Sequence, residues 1–319
     1  MKVLITGVAG FIGFSVAQRI LRMGFSVLGI DNLDPYYSTS TKQSRIQSLF
    51  KFKSFQFLPI SIFDISNSIP SHFRPDLIIH LAALPGIAHS LAHPGSCLQT
   101  NTVGTVSVLE FARVRKVSKI LFSSSSSVYG NSNLPFSESD STIIPLSPYA
   151  VSKKSAEMLM SNYHHLYGIN ILIFRLFSVY GPESRPDLVI QKFFNQIHTG
   201  KPCLIYGDGN LERDFTFIDD VIDGLMKGIH YLESNSSQRI LEIFNIGSGK
   251  SVPINKILEI LKSGLKRNFE VRYLEKREED ARITLADISK AYKFLEYSPK
   301  VEIEEGISRL IDYHKYIEL

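Results

Sequence analysis

The chain has 319 residues, 44% hydrophobic and 21% charged, a composition ordinary for a globular protein able to bury one large core or two lobes. Its formal charge of +4 is small for this length, so nothing in it demands nucleic acid or an anionic membrane as partner, although a weakly basic balance suits an anionic small molecule. Cys97 and Cys203 lie far apart with no metal-ligand spacing, and no apolar run approaches the roughly 18 residues of a membrane span.

The opening residues read as a core strand and not as a secretory leader, so the expected location is the cytoplasm, with both thiols reduced. Lys2–Thr6 is a short, apolar, β-branched run ending in glycine, which predicts a buried strand. Ile12–Met23 has helical spacing and Gly24 to stop it. Ser26–Ile30 is a second strand, ending at Asp31; Phe55–Ile60 and Leu77–Leu81 repeat the pattern. Ser96–Arg115 reads as one helix, Lys119–Ser123 as a strand, Tyr149–Tyr167 as a helix closed by Gly168, and Asn170–Arg175 as a further strand. Strand alternating with helix predicts a doubly wound α/β fold, a parallel sheet that binds its ligand beyond the carboxyl ends of its strands. After Phe177 the pattern loosens. Pro182–Pro186 and Tyr206–Arg213 read as loops, and helices near Ile254–Lys266 and Ile303–Ile317 belong to a smaller lobe. The expected division is a dinucleotide-binding domain over 1–176, with 212–247 returning to it, and a substrate-binding lobe over 177–211 and 248–319.

Gly7, Gly10 and Gly13 join the first strand to the first helix with the spacing GxxGxxG. Such a turn lets the backbone approach a pyrophosphate and aims a helix N-terminus, with Phe11 and Ile12 in its first turn, at negative charge. Asp31 ends the second strand, where a carboxylate accepts from both ribose hydroxyls and repels a 2′-phosphate, favouring NAD over NADP; Asn32 follows it. Asp64, beside Ile65, is placed to bond the adenine amine, though a turn aspartate reads equally well. The small Leu81-Ala82-Ala83 strand end lets a flat cofactor lie against the backbone.

Tyr149 and Lys153 stand at i and i+4, on one helix face. A nearby ammonium and the positive nicotinamide ring favour the phenolate, which makes Tyr149 a general base and lets Lys153 also hold the nicotinamide ribose. The hydroxyls of Ser123–Ser127, before Val128-Tyr129-Gly130, can bond a sugar oxygen at the sheet's carboxyl edge. A bare Tyr-Lys pair or a serine-rich loop means little alone; their combination with the glycine turn carries the weight.

The glycine turn, Asp31, Asn101 with Gly104-Thr105, the serine run and Tyr149…Lys153, together with Arg213-Asp214-Phe215-Thr216-Phe217, resemble the extended short-chain dehydrogenase/reductase superfamily across essentially the whole chain. The resemblance implies a Rossmann domain with bound NAD, Ser125 assisting Tyr149, and Arg213 and Arg277 on a nucleotide diphosphate. Dehydratases and decarboxylases of the superfamily carry an acid just before Val-Tyr-Gly; here Ser126 and Ser127 stand there, which favours simple 4-epimerisation. Asp31–Tyr37, Tyr149–Lys154 and Gly181–Asp187 are most similar to UDP-glucuronate 4-epimerases, which implies Ser125, Ser126, Ser127, Ser178 and Arg185 around a sugar carboxylate. Hydroxyls plus one guanidinium suit a carboxylate, and they also suit the hydroxyls of a neutral sugar. Three positions depart from that pattern: Ala88 replaces an arginine, Glu279 a glycine, and Thr284 falls where some UDP-galactose epimerases have a tyrosine. UDP-glucose or UDP-N-acetylglucosamine is therefore the alternative substrate. A dehydratase or decarboxylase, and a non-enzymatic NAD sensor, stand further off. The resemblance also implies a homodimer that pairs the Ser96–Arg115 and Tyr149–Tyr167 helices of two subunits. His164 and His165, lacking partner ligands at zinc-like spacing, read as surface residues.

Overall fold

The computed structural model describes residues 1–142, 144–276 and 281–317. Its strands are β1 (Lys2–Thr6), β2 (Ser26–Ile30), β3 (Phe55–Leu58), β4 (Leu77–His80), β5 (Lys119–Ser125), β6 (Asn170–Leu176), β7 (Ser178–Tyr180), β8 (Cys203–Tyr206), β9 (Glu212–Phe217), β10 (Leu241–Ile246), β11 (Ser251–Pro253) and β12 (Val271–Leu274). Seven of them form one sheet in the order β10-β6-β5-β4-β1-β2-β3. Its pairings β4–β5, β1–β4, β1–β2 and β2–β3 are parallel, as the alternation of strand and helix predicts. The strands are apolar on both faces because helices cover both: Val3, Leu4, Ile5, Ile78 and Ile79 are wholly buried, each contributing roughly 1.5–3 kcal/mol relative to exposure.

Register decides where chemistry can sit. Thr6 lies beside both Ile30 and His80, and Ile30 beside Leu58, so β1, β2, β3 and β4 end level, while β5, with Phe122 beside His80, runs on to Ser125. The residues one step beyond that row are Gly7, Asp31, Leu81 and Ser123, all on the carboxyl edge of the sheet.

The helix Pro148–Tyr167 has clear local causes. Ser147 caps it by accepting the Ala150 N–H at 3.2 Å, proline occupies its first turn, and Gly168 ends it with φ +69°. The single helix expected over Ser96–Arg115 is instead three pieces: α-helix Pro94–Leu98, a π-helical turn Gln99–Val103, and α-helix Gly104–Arg115. The break centres on Asn101: Thr105 Oγ1 donates to its carbonyl at 2.6 Å, and its side chain reaches across the fold to Leu84 and Ser152.

The chain divides into two compact units, Met1–Gly130 with Ser141–Arg175 and Leu225–Phe244, and Asn131–Asp140 with Leu176–Gly224 and Asn245–Leu319. The return to the first unit is thus narrower than the 212–247 expected, and 131–140 belongs to the second unit. The reason is that β9 pairs with β7 and β11 in a separate three-stranded sheet, while the Asp214 carboxylate is bonded by Ser248, Gly249 and Ala286. The second unit also holds the parallel pair β8–β12 and the helices Val189–His198, Ile254–Leu265, Ser289–Leu295 and Ile303–Ile317. No helix among the described residues is long and apolar enough to cross a membrane.

Candidate active site

The glycine turn is closed to side chains. Gly7 has φ +73°, and a Cβ there would sit 2.7 Å from the Ala82 nitrogen; a Cβ on Gly13 would collide with the Gly7 carbonyl oxygen. Gly10 accordingly caps the Phe11–Arg22 helix with backbone alone, donating its N–H to the Gly7 carbonyl at 3.0 Å. Phe11 is buried in the core and Ile12 half-buried, so in this turn the first contribution to a ligand is main-chain N–H groups.

Asp31 is joined to the same turn. Its carboxylate accepts the Ala9 N–H at 3.0 Å and the Leu33 N–H at 2.8 Å, one on each oxygen. Each oxygen keeps a second lone pair for a ribose hydroxyl. Burial raises its pKa, and those two N–H groups and Lys42 pull the other way. Asn32 is exposed and accepts from the Asp34 N–H. Asp64 closes a short 3₁₀ turn and is exposed, whereas the Ile65 side chain is spent in the hydrophobic core.

One group at this edge was not legible in the sequence. His80 is wholly buried and lies 2.7 Å from Thr6 Oγ1 and 3.0 Å from Thr105 Oγ1. Thr6 Oγ1 accepts the Leu81 and Ala82 N–H groups, which leaves its own proton for His80 Nδ1. His80 Nε2–H then donates to Thr105, and Thr105 to the Asn101 carbonyl. Burial, with Lys153 adding to it, pushes the imidazole down to about 3, so the ring is neutral as this chain of donors requires. The network ties Thr6, Leu81-Ala82 and Asn101 together, and Asn101 further holds Leu84 through both its amide atoms, at 2.7 and 3.0 Å.

On the other side of β4, the helix Pro148–Tyr167 carries half-buried Tyr149 and buried Lys153. The helix packs on β5 and on the 3₁₀ turn Ser126–Tyr129 that follows it. Lys153 Nζ donates to the Ser123 carbonyl at 2.7 Å and sits 4.9 Å from the Phe122 ring centre. Burial pushes its pKa down to about 8, against the opposing pull of Cys97 and Glu157. Ser152 donates to the Tyr149 carbonyl at 2.7 Å and accepts from Asn101, linking this helix to the π turn.

The serine run is not uniform. Ser125, Ser126 and Ser127 are half-buried. Ser125 Oγ caps the 3₁₀ turn by accepting the Ser127 N–H at 3.2 Å, and donates to Ser127 Oγ at 3.1 Å. Ser124, pointing the other way by strand alternation, is buried and donates to Glu157 at 2.6 Å.

Ser178, Arg185 and Arg213 lie in the second unit. Ser178 is half-buried at the start of β7, opposite Phe215. Arg185 grips Asp187 through two bonds of 2.9 Å, the same fork geometry that a sugar carboxylate would use. Arg213 donates to the Glu212 carbonyl at 2.8 Å, beside the anchored Asp214. Thr284 Oγ1 accepts the Asp214 N–H at 3.1 Å, so its hydroxyl is engaged with the backbone of β9. Arg277 and Glu279 lie outside the described residues.

A parallel sheet with a turn whose Gly7 and Gly13 admit no side chain, an acid at the end of its second strand and a Tyr-Lys helix over the fifth defines a dinucleotide-dependent enzyme of the extended short-chain dehydrogenase/reductase type. The chain belongs, more particularly, to the family described as GDP-mannose 4,6 dehydratase, whose profile matches residues 4–310. It is 41% identical over 315 residues to a UDP-glucuronate 4-epimerase of Thermodesulfobacterium geofontis, covering 98% of this chain and 95% of that one. It is 35% identical to the UDP-glucuronic acid 4-epimerase of Bacillus cereus crystallised with UDP-glucuronic acid and NAD, with a TM-score of 0.90 over 99% of this chain and 100% of that one. The UDP-glucose 4-epimerase of Thermotoga maritima, crystallised with UDP-glucose, is 30% identical with a TM-score of 0.89 over 100% of both chains.

Proposed function

We propose that this protein is an NAD-dependent 4-epimerase that interconverts UDP-glucuronate and UDP-galacturonate. The observation that carries the reading is the meeting of the Tyr149–Lys153 helix with a strand end that offers hydroxyls at Ser125, Ser126 and Ser127 and no carboxylate. Elimination or decarboxylation would need an acid there; inversion at C4 needs only a base and a reversible hydride acceptor. NAD, when bound, supplies that acceptor. The glycine turn, Asp31 and Asn101 are the residues to hold it, since the turn admits no side chain and the Asp31 carboxylate retains acceptor capacity. Asp64 and the Leu81-Ala82-Ala83 strand end are assigned to the adenine and to the cofactor's flat face.

Tyr149 Oη takes the proton of the 4-hydroxyl and later returns it. Lys153, fixed by the Ser123 carbonyl, holds positive charge beside it and favours the phenolate. Ser125 polarises the sugar oxygen by turning onto it the proton it gives to Ser127 Oγ in this structure. Ser126, Ser127, Ser178 and Arg185 are assigned to the sugar carboxylate, and Arg213 and Arg277 to the diphosphate. In this reading the protein is cytoplasmic, supported by two buried cysteines that form no disulfide, and a homodimer, supported by the exposed apolar side chains of Val103, Val151, Met158 and Leu166 on the segments assigned to the interface. Light scattering at working concentration gives the dimer mass if this is right, and the monomer mass if it is not.

The deciding experiment incubates the purified protein separately with UDP-glucuronate, UDP-glucose and UDP-N-acetylglucosamine, without added reductant, and follows ring protons by NMR. Conversion of UDP-glucuronate alone supports the acid pocket. Conversion of a neutral sugar keeps the Tyr149 chemistry and removes the carboxylate roles from Ser178 and Arg185. No conversion of any sugar sinks the reading.

A further inference from the structure

The serine turn is fastened at both ends to one buried ion pair. Arg175, on β6, binds the Glu157 carboxylate through two bonds of 2.9 and 2.8 Å. Both side chains are almost wholly buried. Before the turn, Ser124 Oγ donates to Glu157 at 2.6 Å. After it, the buried Tyr129 ring faces the Arg175 guanidinium, 4.7 Å from ring centre to Cζ. Ser125, Ser126 and Ser127 lie between these two attachments. Lys154 also reaches Glu157, at 3.4 Å.

Burial opposes the charge on both partners, and each overcomes it for the other: Glu157 is held below its ordinary pKa by Arg175, and Arg175 above its own by Glu157. Stability alone is a poor reason for such a pair, because well-packed apolar residues of the same volume often serve as well. Direction is a better reason. The planar fork fixes the plane of the carboxylate, the carboxylate fixes Ser124, and the guanidinium face fixes Tyr129. Glu157 also follows Tyr149 and Lys153 at i+8 and i+4 on the same helix face, so the pair locks the rotation of the helix that carries the base.

We infer that Glu157, Arg175 and Ser124 form a clamp that aligns the serine turn with the Tyr149–Lys153 helix, and are positioning residues for the reaction. The kinetic half of this inference rests on the epimerase reading; the structural half does not. The test is the pair Ser124→Ala and Ser124→Thr, which removes and restores one hydroxyl while leaving the ion pair in place. In Ser124→Ala, amide exchange across Ser125–Tyr129 quickens by about tenfold while β1, β2 and β4 keep their protection. Its kcat falls about tenfold with KM within about twofold, and Ser124→Thr restores most of both. An unchanged exchange rate at Ser125–Tyr129 overturns the clamp, whatever the kinetics. Faster exchange with a wild-type kcat overturns its part in catalysis. If the unaltered enzyme converts no UDP-sugar, the epimerase reading fails and the exchange measurement still decides the clamp.

Discussion

Two turns flank β4 at the carboxyl edge of the sheet, one held chiefly by close backbone packing and the other by a buried ion pair. The glycine turn after β1 is fixed by sterics and by neutral bonds from Thr6 through an uncharged His80 to Thr105, with the Asp31 carboxylate on the Ala9 N–H and the Arg45 guanidinium on the Ala9 carbonyl. The serine turn after β5 is fixed by charge, from Lys153 to the Glu157–Arg175 pair. Charged wiring suits the proposed role of the Tyr149–Lys153 helix, in which a base is held and its phenolate favoured. The contrast implies different failures: the first turn yields to crowding and to acid, the second to loss of a single partner.

The largest effect belongs to the base. Tyr149→Phe is expected to lower kcat on the order of a thousandfold while UDP-sugar affinity stays near wild type, measured by turnover beside calorimetric titration. A proportional loss of affinity would move Tyr149 from chemistry to binding. Next comes the charged turn. Arg175→Met leaves Glu157 buried without its partner and is expected to cost about 3–5 kcal/mol in urea unfolding. A cost below about 1 kcal/mol would mean that the carboxylate finds water or Lys154, and that the two turns do not differ as argued. For the glycine turn, Gly13→Ala drives a methyl group against the Gly7 carbonyl and is expected to cost about 1–3 kcal/mol, with weaker NAD retention on desalting. Full NAD retention there would show that the turn can shift without losing its grip.

The last effect is a slope. The folded-state pKa of His80, about 3, lies below the ordinary 6.5, so between these values the unfolded chain takes up the proton first. The stability tied to the neutral ring is complete above pH 6.5 and is lost as pH falls toward 3. The slope from this residue is at most about 1.4 kcal/mol per pH unit. In His80→Gln the part of the acid slope due to this ring should vanish, read from urea midpoints between pH 4 and 7. An identical slope in the variant would place the acid sensitivity elsewhere.

Most of the sheet edge was readable before any coordinates. Gly7, Gly10 and Gly13 can be read because their spacing lies within one turn, although the backbone that crowds Gly7 belongs to Leu81 and Ala82 on another strand end. Tyr149 and Lys153 can be read because i and i+4 share a face in any helix. Other features resisted for physical reasons. The Ser96–Arg115 periodicity gave no warning of the π turn, since its cause is Asn101 bonding Leu84 across the fold. The 212–247 return is narrower than its strand pattern implies because the sheet partners of β9, β7 and β11, are three residues each, too brief for a periodic signal. Arg185 reads as a carboxylate binder from its motif, and only the side-chain geometry reveals that Asp187, two residues on, already takes its fork.

The sequence by itself determined the fold class, the dinucleotide turn, the acid after β2 and the Tyr-Lys pair, because each rests on spacing within one element or one turn. Tertiary structure alone decided what holds them in place: His80 between Thr6 and Thr105, and Glu157 between Ser124 and Arg175. Those partners are 18 to 74 residues apart along the chain, and a buried polar group chooses its partner by position in space and by the absence of water, neither of which spacing records.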